Sequence, residues 1–522
     1  MKKLFKSAIA VLLCVAIGIS IAVPCFAKDK KTAFVVVSGM NTFPLTLDGE
    51  KVFPMSAKTV LKQAKGIADA LIEFSCNKDF TELNELLFPP LREMFKELTC
   101  DSNGSSICNI ETMQFSDSVE EYVDLFSNEK KDELGVVNAG IQRCGAENTY
   151  FFNYDWRLNP LDHADKLNEL IKTIKSKNEY DRIVVSAYSM GGTVVCSYLY
   201  KFGSADVDSI VLASTAFQGT SCVGDMFNNR IELSTDGLLN RLAQLTRDNS
   251  LENLVNAVGE ILKSSGITNS VDNFAEKFVN AVPDRLYSEF LTPVFGYMTG
   301  LWALCDDENY ESAKEVMLNG TATDSFIETI DEYHYNVQQK AEALLKNAMN
   351  DTAVYIIAQY NMQGLPVSKT SSTGNNDYLI DTKYESGGAV CSDLGKTLPN
   401  GYVQQIDCGH NHVSYDGQID ASTCMFPEST WFVRDMGHVD FPVGASTDFI
   451  IWLTESEEQL TVFDNSDYPQ FLKYNYGDNS LKPLNENTLK KTTSDKLLEI
   501  FKIIVSILKK YFVTLLWGDC CA

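Results

Sequence analysis

The sequence predicts a mostly parallel, doubly wound α/β sheet, and three observations predict it. Apolar, β-branched runs recur along the 522 residues at intervals that leave room for crossover helices. Amphipathic helical patterns fill several of those intervals, as at His163 to Lys177 and Thr193 to Lys201. One run, Ile183-Val184-Val185, feeds directly into Ala187-Tyr188-Ser189-Met190-Gly191-Gly192 and then into a helical pattern. Alternation of this kind places helices on both faces of a parallel sheet.

The expected core strands are Thr32 to Val37, Thr149 to Tyr154, Ile183 to Ala187, Ser209 to Ala213, Ala353 to Gln359 and Thr430 to Val433. Tyr402 to Ile406 is a short peripheral candidate. Residues 28–222 make the first part of the core, interrupted at about 50–146 by an insertion with helical patterns at Ser56 to Phe74, Phe80 to Leu98 and Ser118 to Phe126. Residues 223–350 are again helical by pattern and follow the strand after the serine, where a cap would be inserted. The core resumes over 351–455, with Ser368 to Asn376 as a loop and Phe449 to Leu453 as a packed helix. Residues 456–522 form a C-terminal extension. Within it Leu497 to Trp517 is amphipathic, with Glu499, Lys502, Ser506 and Lys509/Lys510 on one face; it either docks on the protein or makes a peripheral membrane contact.

Residues 1–27 read as a secretory signal, with Lys2, Lys3 and Lys6 before an apolar core from Ala8 to Val23. That predicts a secreted or cell-surface protein. The net charge is −26, and loss of the signal would remove three more lysines. Nucleic-acid phosphates demand a basic face, so nucleic-acid binding is excluded. Twelve of the 14 cysteines follow residue 27, which predicts disulfides in an exported chain, with Cys100/Cys108 and Cys408/Cys424 spaced to close short loops. No CxxC pair and no His/Cys cluster at zinc spacing is evident, so a structural metal is not expected.

The chemistry centres on Ser189. A strand ending in small-x-Ser-x-Gly before a helix is the pattern of a nucleophile elbow, in which a tight turn presents the hydroxyl to a cleft. Ala187 stands where the first glycine is usual. A serine needs a histidine to take its proton and a carboxylate to orient that histidine, in the order Ser, acid, His. Two acids lie in suitable loops. Asp416 opens Asp416-Gly417-Gln418-Ile419, where Gly417 permits a turn and Ile419 anchors it; Asp377, before Tyr378-Leu379-Ile380, lacks the glycine. Asp416 is therefore preferred and Asp377 held in reserve. His438 follows both, in a loop between the last expected strand and a packed helix. His410 and His412 precede Asp416 and are reserve candidates only. Oxyanion stabilisation is expected from the backbone amides of Met190 and, in the loop Ser38-Gly39-Met40-Asn41, of Met40. Met40 and Phe43 face either substrate or the core.

Ser38-Gly39-Met40-Asn41-Thr42, Phe152-Asn153-Tyr154-Asp155-Trp156-Arg157 and Ala187-Tyr188-Ser189-Met190-Gly191-Gly192 together resemble the ordered motifs of lecithin:cholesterol acyltransferase-like α/β-hydrolases. Ser214 to Thr220 is similar to the segment leading into that family's lid. Asp416-Gly417-Gln418-Ile419 and Gly437-His438 are similar to its acid and histidine loops. The likeness covers 32–222 well and 351–453 more loosely. It implies the α/β-hydrolase fold with helical cap insertions, and a cofactor-free lipase or acyltransferase forming an acyl-serine intermediate, with Ser189, Asp416 and His438 as its triad. The Asp155–Arg157 pair reads as a structural brace. Acyl transfer to an alcohol by the same residues, or a non-catalytic binding protein on a hydrolase scaffold, are the alternatives.

Overall fold

The computed structural model describes residues 31–40, 42–55, 80–127, 135–232, 283–438, 446–476 and 478–489, with isolated positions at 234, 237, 272, 273, 276, 277 and 440. The expected signal (1–27), the helical pattern at Ser56 to Phe74, part of the cap and the C-terminal amphipathic segment 497–517 lie outside the described residues.

In chain order, β1 (Thr32–Val37) is followed by a small antiparallel unit of β2 (Leu45–Leu47), β3 (Glu50–Phe53) and β4 (Ile110–Thr112). Then come β5 (Thr149–Phe152), β6 (Arg182–Ser189), β7 (Ser209–Thr215) and β8 (Ala353–Tyr360). The two-residue strands β9 (Val390–Cys391) and β10 (Ile419–Asp420) pair with each other, and β11 (Thr430–Arg434), β12 (Phe471–Asn475) and β13 (Ser480–Pro483) complete the set. The main sheet has eight strands in the order β13-β12-β11-β8-β7-β6-β1-β5. All neighbours run parallel except β12 and β13. This is an α/β fold built on a mostly parallel sheet.

Strand alternation divides the core between the two faces. Ala33, Val35 and Val37 of β1 meet the helices Pro160–Ser176 and Gly191–Phe202 through Leu167, Ile171, Val194 and Val195. Phe34 and Val36 meet the helices Gly135–Cys144 and Ser446–Glu455 through Val136, Val137, Phe449 and Ile450. Local chemistry sets the helix ends. The Asn159 side chain accepts the Leu161 N–H with Pro160 in the first turn, and Gly203 (φ +72°) ends the helix after the serine. The described part of 223–350 carries helices and no named strand. Among the described residues no helix is long and apolar enough to cross a membrane.

Three features depart from the sequence expectation. The antiparallel β2-β3-β4 unit arises within an insertion that reads as helical, and β12 and β13 widen the sheet from a region assigned to the C-terminal extension. β12 is short and half-buried with Lys473 at its centre, so its period-2 signal is faint. Tyr402 to Ile406 forms no strand, because the Gln405 and Ile406 amides donate to Asp420 Oδ2 (2.9 Å) and Ser422 Oγ (3.1 Å) instead.

The nine described cysteines are all unpaired, which corrects the disulfide expectation. The 100–108 loop is closed by hydrogen bonds: Ile107 N–H to the Thr99 carbonyl, and the Asn103 and Ser105 amides to Asp101 Oδ1. Cys424 is buried while Cys408 is exposed, so the second expected pair does not meet.

After β5 the chain turns on Asp155 and Arg157. The fully buried guanidinium donates to both Asp155 oxygens (3.0 and 2.6 Å), the Leu98 carbonyl (2.8 Å) and Ser106 Oγ (3.0 Å), so this pair fastens the insertion to the sheet edge. Arg157→Met should cost about 3–5 kcal/mol in urea unfolding, because it leaves the Asp155 carboxylate without its buried partner. A loss below about 1 kcal/mol would show that the brace is dispensable.

Candidate active site

β6 ends on Ser189, which holds φ at +54°, a left-handed conformation unusual for a residue with a side chain. Met190 returns to helical geometry and the helix Gly191–Phe202 begins at once. The reversal is tight enough to exclude side chains around it. A Cβ on Gly191 would stand 2.7 Å from the Val37 carbonyl oxygen, and one on Gly39 would stand 2.6 Å from Ser189 Cβ. Ala187 is fully buried between Val37 and Leu212 in the sheet, where its methyl group fits.

Ser189 Oγ and His438 Nε2 are 2.8 Å apart, and His438 Nδ1 lies 2.5 Å from Asp377 Oδ2. A second link joins the same loops, since the His438 backbone N–H donates to the Asp377 carbonyl at 2.6 Å. The other Asp377 oxygen accepts the Leu379 and Ile380 amides, both at 2.8 Å. With Nδ1–H donated to the carboxylate, Nε2 presents its lone pair to the serine hydroxyl. Such a chain of groups can take the serine proton and return it to a leaving group.

The acid beside His438 is therefore Asp377, the reserve candidate, and Asp416 is not placed there. Asp416 is committed elsewhere: its oxygens accept Arg434 Nε–H (2.8 Å), the Tyr360 hydroxyl (3.2 Å) and the Ser414 hydroxyl (2.7 Å). The Asp416-Gly417 step, with Gly417 at φ +69°, is a turn beside an ion pair. No glycine follows Asp377; Tyr378 itself adopts φ +104° there. The partner glycine lies on the histidine loop, where a Cβ on Gly437 would stand 2.1 Å from Tyr378 Cε2.

His410 and His412 are not brought to Ser189; His412 Nδ1 bonds Gln470 Oε1 at 2.6 Å. Met190 follows Ser189 directly and Met40 follows Gly39, so both residues flank the hydroxyl. The Met190 side chain reaches the helical insertion, its Cε 3.0 Å from where Gly300 would carry a Cβ. Phe43 belongs to the core, packed with Phe115, Phe126 and Phe151.

Sequence reasoning missed Glu385, on the helix Thr382–Glu385. It is fully buried, and one oxygen each of Asp377 and Glu385 and a ring nitrogen of His438 lie within 4.8 Å of one another. Its Oε2 accepts the Gln359 N–H at 2.5 Å. Burial and the neighbouring Asp377 charge push the Glu385 carboxyl well above its ordinary range, and its Oε1 is buried without a hydrogen-bond partner. For Asp377, burial acts upward, but the neighbouring His438 and the Ile380 amide hold it below the usual carboxylate value. The loop is tied down further at Asp381, which accepts Ser221 N–H (2.8 Å) and Oγ–H (2.7 Å) and is raised by burial to about 6.

Glu385 carries a definite pH signature. A carboxyl whose folded pKa is raised stabilises the fold fully below its unfolded pKa, and that contribution is lost as pH rises through the folded value. Glu385→Gln removes this loss while keeping a neutral donor. The variant should therefore gain thermal stability relative to the parent as pH rises above the ordinary glutamate range. Parallel stability curves over that range would mean that Glu385 ionises normally.

No family model matches this chain, and no curated protein matches it. Among solved structures, a chain of the crystal structure of the Tle4–Tli4 complex matches over 38% of this chain and 48% of that one, at 10% identity and a TM-score of 0.19. This chain thus spans about half of that protein's length, and a likeness so slight bears on neither its fold nor its chemistry.

Proposed function

We propose that the chain is an exported serine hydrolase of the α/β-hydrolase fold, similar to the lecithin:cholesterol acyltransferase-like enzymes, that cleaves carboxylic esters, lipid acyl esters above all. The observation that carries this reading is the continuous chain from Ser189 Oγ through His438 to the Asp377 carboxylate, with the serine on a strained turn. Strain of this kind clusters at functional sites.

In the reaction, Ser189 Oγ attacks the ester carbonyl carbon while His438 Nε2 takes the hydroxyl proton. Asp377 fixes the tautomer and balances the imidazolium charge. The carbonyl oxygen, now negative, is received by the Met190 and Met40 amides. Collapse breaks the ester C–O bond, and His438 hands its proton to the departing alcohol. Water then attacks the acyl-serine with His438 again as base, releasing the acid. The apolar leaning of the substrate rests on the packing of the helical insertion against Met190 and on the motif resemblance. No cofactor enters these steps.

A fluorophosphonate probe should label Ser189, and Ser189→Ala should lower ester turnover by about 10⁴-fold or more. Asp377→Asn should lower turnover to a similar degree through the wrong tautomer, whereas Asp416→Asn should leave it within about tenfold. Retained turnover in Ser189→Ala would overturn the mechanism, and the reverse ranking of the two acids would overturn the triad. Release of fatty acid from a lipid panel, compared with a soluble short-chain ester, tests the substrate class.

A further inference from the structure

The loop from Gln404 to His412 gathers three groups that sequence spacing conceals. Cys408 Sγ, a ring nitrogen of His410 and a ring nitrogen of His412 lie within 4.8 Å of one another, on the side of the fold where β11 and β12 pair. Cys408 and His410 are exposed, whereas His412 is fully buried. The loop is shaped by Gln404, whose amide donates to the Ile406 (3.0 Å) and His410 (2.8 Å) carbonyls while its oxygen accepts the His412 N–H (2.9 Å).

The tautomer of His412 follows from its neighbour. Gln470 Nε2 donates to the Pro427 (2.6 Å) and Thr430 (3.2 Å) carbonyls, which fixes Gln470 Oε1 as an acceptor toward His412. His412 Nδ1 must then carry the proton in their 2.6 Å bond, and Nε2 holds a lone pair. That Nε2 is buried and has no hydrogen-bond partner, an expensive condition unless something else uses it. An imidazole with one nitrogen bonded to an amide oxygen and the other left unpaired, beside a thiol and a second imidazole, is the arrangement by which proteins orient metal ligands.

We propose that Cys408, His410 and His412 form a site for a thiophilic divalent cation of the zinc type. One thiolate and two imidazoles are a zinc donor set, and three protein ligands leave the fourth tetrahedral position to water. Ligand atoms around tetrahedral zinc stand about 3.5 Å apart, so the two exposed side chains close inward by roughly 1 Å on binding. The Cys408 thiol, now directed at the His410 carbonyl at 3.8 Å, gives up its proton to solvent as the metal–sulfur bond forms. The ion clips the loop to the buried His412–Gln470 pair. The site shares no residue with Ser189, His438 or Asp377 and is independent of the hydrolase reading.

The test uses the full chain, stripped with chelator and dialysed against zinc alone. The parent and Ser189→Ala should each take up one zinc per chain, and zinc should shield Cys408 from iodoacetamide in mass mapping. Gln470→Leu should weaken binding by about tenfold or more through the outer bond to His412. The exposed-residue variants Cys408→Ser and His410→Ala should keep the parent's circular dichroism and weaken binding further still. Zinc uptake unchanged in the Cys408→Ser/His410→Ala double variant, no uptake by the parent, or alkylation of Cys408 indifferent to zinc would each overturn the site.

Discussion

Everything at the centre of this molecule depends on how closely the helix after β6 approaches β1. Ser189 sits at φ +54° because the chain must reverse within one residue, and the reversal is feasible only where Gly191 and Gly39 leave their Cβ positions vacant. Strain of this sort costs on the order of 1–3 kcal/mol. It persists because β6 lies inside the sheet, hydrogen-bonded on both edges to β1 and β7 and buried along almost its whole length. Relaxing the turn would mean dismantling the centre of the fold.

Around that fixed serine, the partners arrive on loops fastened to each other and to the insertion. Asp377 receives two backbone amides of its own loop, and Asp381 a few residues on receives the start of the helix Ser221–Phe227. Glu385 completes a buried triplet in which its own carboxyl is pushed above the ordinary range and that of Asp377 is held below it. Two acids so close cannot both ionise cheaply, and the one beside the imidazole holds the charge.

The sheet was legible because buried parallel strands are continuous apolar runs, and β1, β6, β7 and β8 read plainly as such. Ser189 and His438 were legible from a local motif and from chain order. The acid was not. The rule that a tight turn needs glycine pointed to Asp416-Gly417, whereas the chain satisfies the geometry with Tyr378 at φ +104° and places the glycine at 437, on the opposite loop. That requirement belongs to a pair of segments about sixty residues apart and cannot be read from either alone. β12 and β13 escaped because short, half-buried strands at and next to the sheet's edge carry a weak alternation. Glu385 escaped because nothing local marks a glutamate as buried.

The double link between the histidine and acid loops has a mechanical consequence. The Nδ1 contact and the backbone bond from His438 N–H to the Asp377 carbonyl are two parallel struts. A pair of struts resists shear and rotation, where a single one resists only stretching. The imidazole and carboxylate therefore form one rigid body, and Ser189, welded into the sheet, forms another. Between them runs a single 2.8 Å contact. Any breathing of the three-part assembly concentrates at that joint, the contact across which the proposed reaction would pass its proton.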